Sequence, residues 1–151
     1  MSGADPSPIL PDVDDEVAAP FWAGVRDGKL LVQSCGDCGA ARFPPRIFCG
    51  RCGSKRVDWR ESAGRGHIWS WVISHGPTLP AFADRVPYPV VVVELDDFPG
   101  IRMVGNLVAA PGAAIDSVPA AGITIGMPVI VSFEPIAEGV ALPMWRPNAA
   151  S

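Results

Sequence analysis

The chain has 151 residues, of which 48% are hydrophobic and 19% are charged, and its formal net charge is −4. It is long enough to bury a core, as one unit or as two small modules, and its mean hydropathy of +0.25 indicates that another protein covers part of its apolar surface. No apolar run approaches the roughly 20 residues that span a bilayer, and the acidic, proline-rich start is unlike an export signal, which predicts a cytoplasmic protein.

Residues 1–20 form an acidic arm of low complexity, which we expect to be mobile. A short helix is predicted after it, because Pro20 and Gly28 bracket about two helical turns. Phe21 and Trp22 lie in this segment and would dock the helix against the structure that follows.

Two cysteine pairs come next, between short strands predicted at residues 29–34 and 56–60. Each pair has the form C-G-x-C-G, in which two thiolates point to one ion and the last glycine takes the positive φ that the turn needs. Four thiolates complete a tetrahedral shell with no open position, so the pattern predicts structural zinc. A rubredoxin-type iron or a redox-active pair uses similar spacing, but nothing else in the sequence indicates electron transfer. The predicted ligands are Cys35, Cys38, Cys49 and Cys52.

From residue 66 onward the pattern is entirely β. Five β-prone runs are separated by Gly, Pro and Asp, which favours a small Greek-key barrel. Residues 90–93 are all valine, which predicts an internal or doubly covered strand, and a short helix or turn is expected at 116–121. Trp145 would either pack in the core or anchor a partner. The predicted strands are residues 68–74, 89–95, 101–108, 127–134 and 142–145.

Strand alternation places several aromatic and titratable side chains of the first barrel strand on one face. That face would hold His67, Trp69, Trp71, Ile73 and His75. It is either a packed or interface face, or a ligand surface bordered by two pH-sensitive groups.

The residues that could carry catalysis have other expected roles. All four cysteines are assigned to the metal, which leaves no thiol for covalent catalysis. No G-x-S-x-G motif is present, and neither His67 nor His75 has an evident catalytic partner. Asp96 and Asp97 are expected to end a strand in solvent, and residues 64–66 (G-R-G) predict a tight turn because no helix follows them. The sequence therefore predicts a non-catalytic protein.

Further motifs occur in a characteristic order along the chain, around and beyond the two cysteine pairs. They are Phe21-Trp22, Phe43-Pro44-Pro45-Arg46, Trp59, Gly64-Arg65-Gly66, Trp69-Ser70-Trp71, Pro87-Tyr88-Pro89, Val93-Glu94-Leu95, Ile125-Gly126-Met127-Pro128-Val129 and Leu142-Pro143-Met144-Trp145-Arg146-Pro147. In this order and spacing they closely resemble the DUF35 family of zinc-ribbon and OB-fold proteins. Only the arm and residues 109–124 lie outside the resemblance.

The resemblance implies a mainly β protein with a short N-terminal helix, a rubredoxin-like zinc ribbon and a five-stranded OB-fold barrel. On that basis we expect an acidic arm at residues 1–20, the helix and ribbon at 21–62, and the barrel at 63–151. Family members look like acyl-CoA-associated partners of thiolases, thiolase-like acyltransferases and sterol side-chain aldolases of the lipid-transfer type. The resemblance therefore implies an accessory subunit in a hetero-oligomer, with the catalytic residues on the partner.

Two alternatives remain, a single-strand nucleic-acid binder and a self-associating scaffold, and the charge distribution bears on the first of them. Residues 35–60 carry a formal +4, which a zinc ion with four thiolates reduces to about +2, whereas residues 66–151 carry −4. An acidic barrel argues against a nucleic-acid groove, while acyl-CoA needs only a few cations and an apolar groove. We place the phosphates near Arg46 and the thioester end towards the barrel face. The predicted ligand or partner surface is Arg46, His67, Trp69, Trp71, His75 and Phe82.

Overall fold

The computed structural model describes residues 8–149, within which there are one α-helix, eight β-strands and two short 3₁₀ turns. Residues 1–7 of the predicted arm and residues 150–151 of the predicted barrel lie outside this range. The elements are α1 (Ala19–Arg26), β1 (Leu30–Cys35), β2 (Ala41–Arg42), β3 (Val57–Ser62), β4 (Arg65–Ser74), β5 (Tyr88–Leu95), β6 (Arg102–Asn106), β7 (Pro128–Ala137) and β8 (Val140–Pro147), with 3₁₀ turns at Pro80–Phe82 and Ala120–Gly122.

The strands form two antiparallel sheets, one of order β2-β1-β3 and one of order β6-β5-β4-β7-β8. This confirms the predicted mainly β fold with its short N-terminal helix and five barrel strands. The valine-rich β5 is internal, as predicted, because it pairs with β4 on one side and β6 on the other. Val91 and Val93 are fully buried, but Val90 and Val92 are only half-buried, so one face of the strand remains partly open.

The five-stranded sheet curls so that its two ends meet. A single parallel bridge joins Leu107, just after β6, to Trp145 in β8, and the N–H of Val108 donates to the Trp145 carbonyl at 2.8 Å. Pro143 and Pro147 lie in β8, where their missing N–H groups are tolerated because proline is suited to the edge of a sheet.

One hydrophobic core joins the ribbon to the barrel. Phe21 and Val25 from α1, and Leu30 and Val32 from β1, belong to the same buried cluster as the inward side chains of the barrel. The barrel members of that cluster include Ile68, Val91, Val93, Met103, Leu107, Val129 and Trp145. Each part of the chain therefore buries apolar surface of the other.

The connection from ribbon to barrel is a tight turn held by a carboxylate. Gly64 adopts φ +72°, which an L side chain rarely adopts, and no helix follows it. Asp97 accepts hydrogen bonds of 2.8 Å from the Ser62 hydroxyl and of 2.8 Å from the Ala63 N–H. Of the residues 64–66 predicted to form a tight turn, Gly64 lies in the turn, whereas Arg65 and Gly66 already belong to β4. Exposed Asp97 has a structural role in this turn.

Three local predictions differ from the structure. The helix begins at Ala19, one residue before Pro20, and ends before Gly28, whose φ is +76°. The short helix or turn expected at 116–121 lies later in the chain, as the 3₁₀ turn Ala120–Gly122 that follows Pro119. The two-residue strand β2 has no signal in the sequence, since it is defined only by its pairing with β1.

A β-bulge in β4 overturns the prediction that five side chains share one face. Ile68 pairs with Val93 and Ser70 pairs with Val92, so Trp69 is an extra residue in the ladder. The bulge moves Trp71 and Ile73 to the inner face, where they pack against the core, while Trp69 remains 48% exposed. His67 and Trp69 are therefore separated from Trp71 and Ile73.

Within residues 8–149, no helix has the length and apolar character that a membrane crossing requires.

Candidate functional site

The two cysteine turns bring four thiols together at the end of the ribbon. Cys35 ends β1, and the N–H of Gly39 closes its turn on the Cys35 carbonyl at 3.0 Å. The N–H of Gly53 closes the second turn on the Cys49 carbonyl at 2.8 Å. Gly39 and Gly53 have φ values of +73° and +75°, so each glycine takes the backbone conformation that the sequence pattern predicted.

The four sulfurs have the spacing of a tetrathiolate zinc site. All four Sγ atoms lie within 4.8 Å of one another, with Cys35 and Cys52 Sγ 3.5 Å apart and Cys38 and Cys49 Sγ 3.6 Å apart. A tetrahedron with zinc–sulfur bonds of about 2.3 Å has sulfur–sulfur edges of about 3.8 Å. Cys35, Cys38, Cys49 and Cys52 therefore fit one zinc ion.

Backbone N–H groups prepare two of the thiols to bind as thiolates. The N–H groups of Cys38 and Asp37 lower the pKa of Cys35 to about 6. Those of Cys52 and Arg51 lower the pKa of Cys49. Such N–H groups stabilise the negative sulfur by hydrogen bonding, as outer-shell donors do in metal sites.

The thiol of Cys52 shows why the site needs a cation. The N–H of Ser54 lowers the pKa of Cys52, but the neighbouring Cys35 sulfur, lost hydration and the other two thiols raise it more, to about 12. Close-packed thiolates repel one another, so the last one does not ionise without a positive ion. A divalent cation among the four sulfurs removes this repulsion and supplies a rigid structural centre.

Beside the zinc turn lies a cavity of about 280 Å³ that we name the arginine cleft. Arg42, Arg46 and Arg51 line it, together with Phe43, Ile101, Cys49 and Gly50. Arg42 is only 8% exposed, and its Nε donates to Gln33 Oε1 at 2.6 Å while its Nη2 donates to the Arg46 carbonyl at 3.2 Å.

Gln33 holds the wall of the arginine cleft in place. It is 2% exposed, pairs with Arg42 across β1 and β2, and also accepts the Arg46 N–H at 2.7 Å.

We expect Gln33→Ala to lower the free energy of unfolding by about 1–3 kcal/mol, because two buried donors lose their acceptor. Urea unfolding followed by circular dichroism measures this loss. Gln33→Glu keeps an acceptor facing Arg42 and is expected to retain stability, whereas an unchanged midpoint in Gln33→Ala would contradict the role of the amide.

A second cavity, the apolar slot, lies between α1, β6 and β8. It has a volume of about 220 Å³ and is lined mainly by Phe21, Trp22, Phe43, Met103, Leu142 and Met144. Phe43 lines both the apolar slot and the arginine cleft, so the two cavities are neighbours.

Two family models match most of the chain. The rubredoxin-like zinc ribbon domain of ChsH2 matches residues 22–58, and the C-terminal OB-fold domain of ChsH2 matches residues 59–134. The chain belongs to the ChsH2 family. The ribbon match and the four clustered thiols together establish a structural zinc site. The domain boundaries that we expect after residues 20 and 62 stay predictions.

Two curated relatives of this ChsH2-family chain are much longer proteins. It is 38% identical over 128 residues to a probable enoyl-CoA hydratase alpha subunit of Thermomonospora curvata, covering 84% of this chain and 36% of the relative. It is 31% identical over 144 residues to the 3-oxo-4,17-pregnadiene-20-carboxyl-CoA hydratase alpha subunit of Mycobacterium tuberculosis, covering 95% of this chain and 42% of the relative. The chain thus spans less than half the length of these relatives.

Other relatives are of similar size and include a solved structure. A DUF35 domain-containing scaffold protein of Pyrococcus furiosus is 29% identical over 52% of this chain and 57% of its own length. A chain of the solved Ltp2-ChsH2(DUF35) aldolase superposes with a TM-score of 0.77 at 34% identity, covering 91% of this chain and 98% of that chain. A DUF35 protein of Sulfolobus solfataricus, at 13% identity and a TM-score of 0.60, shares the fold.

The six residues predicted to form a ligand surface lie in five separate places of the ChsH2-family fold. Arg46 lines the arginine cleft. His67 and Trp69 lie on the outer face of the barrel, where Arg102 stacks on the Trp69 ring at 3.9 Å and the His67 Nδ1 lies 3.2 Å from Asp96 Oδ1. Their predicted role in ligand binding stays a prediction.

The remaining predicted residues are set apart from these. Trp71 packs against the core, as the bulge requires, and His75 is exposed beyond the end of β4. Phe82 packs on Tyr88 with ring centroids 6.0 Å apart and lines an apolar groove of about 320 Å³. That groove shares Leu142 and Met144 with the apolar slot.

Sequence reasoning missed Arg42 and the apolar slot. Arg42 lies only four residues before Arg46, but its burial and its bond to Gln33 depend on the pairing of β1 with β2. The slot is built from segments that lie more than 100 residues apart, from Phe21 to Met144. The cluster of arginines in the ribbon was the available signal for the cleft.

Proposed function

We propose that this chain is a non-catalytic accessory subunit that binds acyl-CoA and supports a thiolase-like enzyme, in particular an aldolase of the lipid-transfer type. The observation that carries this proposal is the match to the Ltp2-ChsH2(DUF35) aldolase chain, which extends over 98% of that chain at 34% identity. In support, the four thiols are grouped as metal ligands, and a zinc-bound thiolate in a full shell is a poor nucleophile. The expected cytoplasmic location belongs to the same proposal.

The names of the relatives support a CoA thioester as the ligand. Both hydratase alpha subunits carry a CoA thioester in their names, although each is more than twice the length of this chain. A shared zinc-ribbon and OB-fold region is the part of those proteins that this chain resembles. Binding of the thioester, as distinct from its chemical conversion, is therefore the role we assign to this chain.

Two exposed apolar patches are available to an enzyme partner. One is the ribbon loop with Ile47 and Phe48, which are 56% and 54% exposed. The other is the outer barrel face with Trp69, Val72 and Val104, which are 48%, 60% and 66% exposed. Apolar side chains grouped in this way gain free energy when a partner removes them from water.

Co-expression with a thiolase-like protein of the lipid-transfer type tests the proposed function. We expect a stable hetero-oligomer by size-exclusion chromatography with light scattering, and cleavage of an acyl-CoA substrate by the complex but not by this chain alone. Thioester turnover by the isolated chain would contradict the accessory role.

Paired surface variants locate the contact. Ile47→Ser with Phe48→Ser tests the ribbon patch, and Val72→Ser with Val104→Ser tests the barrel patch. All four side chains are exposed, so folding and zinc content should be retained in both variants. The variant that dissociates the complex identifies the patch that the partner covers.

The scaffold alternative is supported by two relatives, each named a DUF35 domain-containing scaffold protein. A self-associating scaffold would form a stable homo-oligomer with no enzyme attached. Light scattering of the isolated chain separates these outcomes. A nucleic-acid binder would instead bind single-stranded oligonucleotides with strong salt dependence.

A further inference from the structure

Three arginines meet in the arginine cleft without any acidic side chain in its lining. Arg42, Arg46 and Arg51 line the cleft, and the rest of its lining is apolar apart from Gly50 and the zinc ligand Cys49. Within residues 8–149, none of these three side chains forms an ion pair with a carboxylate. The cleft therefore carries uncompensated positive charge.

Among the three arginines, Arg42 gives the strongest indication of an anion site, because it is buried. A buried guanidinium normally pairs with a carboxylate, yet the partners of Arg42 are the neutral Gln33 amide and the Arg46 carbonyl. Its Nη1 is enclosed and has no hydrogen-bond partner among the described residues. An anion bound in the cleft would balance the charge of this buried guanidinium, which no carboxylate among the described residues does.

The zinc centre does not by itself balance this charge. The formal +4 of residues 35–60 falls to about +2 when the zinc ion and four thiolates are counted. Arg56 is paired with Asp37 at 3.0 Å, and Arg60 lies over the Phe98 ring at 4.9 Å, so these two have partners elsewhere. Arg42, Arg46 and Arg51 supply three of the six positive charges of residues 35–60, and all three line the arginine cleft.

The neighbouring cavity indicates what the rest of the ligand must be. The apolar slot shares Phe43 with the cleft, and Ile101 of the cleft is followed two residues later by Met103 of the slot. A molecule with an anionic end and an apolar end can therefore lie across Phe43, with each end in a matching cavity. A nucleic-acid strand, charged at every residue, does not match an apolar second cavity.

We propose that the arginine cleft is a phosphate-binding site, with Arg42 as its buried anchor, and that the apolar slot receives the uncharged part of the same ligand. Guanidinium forks match phosphate oxygens, and a phosphate or diphosphate balances several cations where one carboxylate balances one. A volume of about 280 Å³ holds a diphosphate group but is small for a whole nucleotide. The inference rests on the proposed function for the ligand's identity, because acyl-CoA has both parts.

Titration calorimetry of the zinc-loaded chain at low ionic strength tests this site without a partner enzyme. The titrants are inorganic pyrophosphate, CoA, octanoyl-CoA and pantetheine, which lacks the phosphates of CoA. We expect pyrophosphate and CoA to compete for one site, and pantetheine to bind about tenfold or more weakly than CoA. Octanoyl-CoA should bind about tenfold or more tightly than CoA, because its chain enters the apolar slot.

Two variants with the same kind of charge change provide the comparison. Arg46→Ala with Arg51→Ala removes exposed side chains of the cleft and should weaken both pyrophosphate and CoA about tenfold or more. Arg26→Ala, on α1 and paired only with Asp27, should change either affinity less than about twofold. Zinc content and unfolding midpoint, measured on each variant, confirm that the fold is retained.

Absence of saturable pyrophosphate binding, or equal affinity in the cleft variant and the unchanged chain, overturns the proposal. If the cleft variant instead loses only the enzyme partner, the arginines contact a protein carboxylate and the phosphate site is wrong while the accessory role stands. If CoA binds as described but no thiolase-like partner associates, the accessory role fails and the phosphate site stands.

Discussion

Replacing Cys49 with serine is expected to abolish stoichiometric zinc binding and to unfold the ribbon. Cys49 is 4% exposed, and its sulfur lies 3.6 Å from that of Cys38, so the hydroxyl of serine leaves an incomplete shell. Structural zinc sites contribute about 10–16 kcal/mol of apparent binding free energy, which is also folding free energy when no site exists in the unfolded chain. Elemental analysis should fall from near one zinc per chain to well below one, and urea unfolding should begin at a much lower concentration.

The effect should extend into the barrel, because the ribbon and the barrel share their core. Leu30 and Val32 of β1 lie in one buried cluster with Ile68, Val91 and Trp145. When the ribbon unfolds, these barrel residues lose their cover and become exposed to water. The zinc-free variant should therefore lose barrel stability as well as ribbon structure, which amide protection by hydrogen exchange can measure strand by strand.

Arg51→Ala provides a matched control inside the same zinc turn. Only the backbone N–H of Arg51 contacts a ligand sulfur, at 3.4 Å from Cys49 Sγ, and alanine retains that N–H. This variant should keep its zinc and nearly all of its stability. Full zinc content in Cys49→Ser, or a visible iron–thiolate spectrum in the unchanged chain, would be incompatible with the assigned centre.

The zinc site was predictable because its chemistry is local in sequence. Each C-G-x-C-G turn specifies its own backbone geometry, and Gly39 and Gly53 have the positive φ that the pattern requires. The barrel strands were predictable for a similar reason, since runs such as residues 90–93 repeat a β-prone pattern between turn residues. Where spacing along the chain determines the structure, the sequence alone was sufficient.

The candidate ligand cavities depend instead on contacts between distant segments. Gln33 binds Arg42 only because β1 and β2 pair, and β2 is too short to have its own signal. Phe43 connects the arginine cleft with the apolar slot, but the slot needs β6 and β8 to meet α1. A single residue inserted in a strand also leaves no signal in the sequence. The bulge at Trp69 therefore reversed the direction expected for the Trp71 side chain.

Trp145→Ala should be the most damaging substitution away from the metal. Trp145 is 1% exposed, and the space beside Gly105 is so close to its ring that a Cβ on Gly105 would lie 2.9 Å from Trp145 Cδ1. Truncation leaves a cavity where β8 meets the end of β6, and such large-to-small changes cost about 3–5 kcal/mol. Urea unfolding should show this loss as a large fall in the midpoint with little change in slope.

Trp69→Ala is the control for Trp145→Ala, because it removes an indole ring that is not buried. The Trp69 ring is 48% exposed and its main contact is the stacked Arg102, an interaction of about 0.5–1 kcal/mol at exposed sites. The two tryptophan variants should therefore differ by several-fold in their loss of unfolding free energy.

The sequence left open whether Trp145 anchors a partner, and its burial instead places it in the core. If Trp145→Ala disrupted partner binding while the isolated variant kept its unfolding midpoint, Trp145 would be a contact residue and the closure of the barrel would have to depend on other side chains.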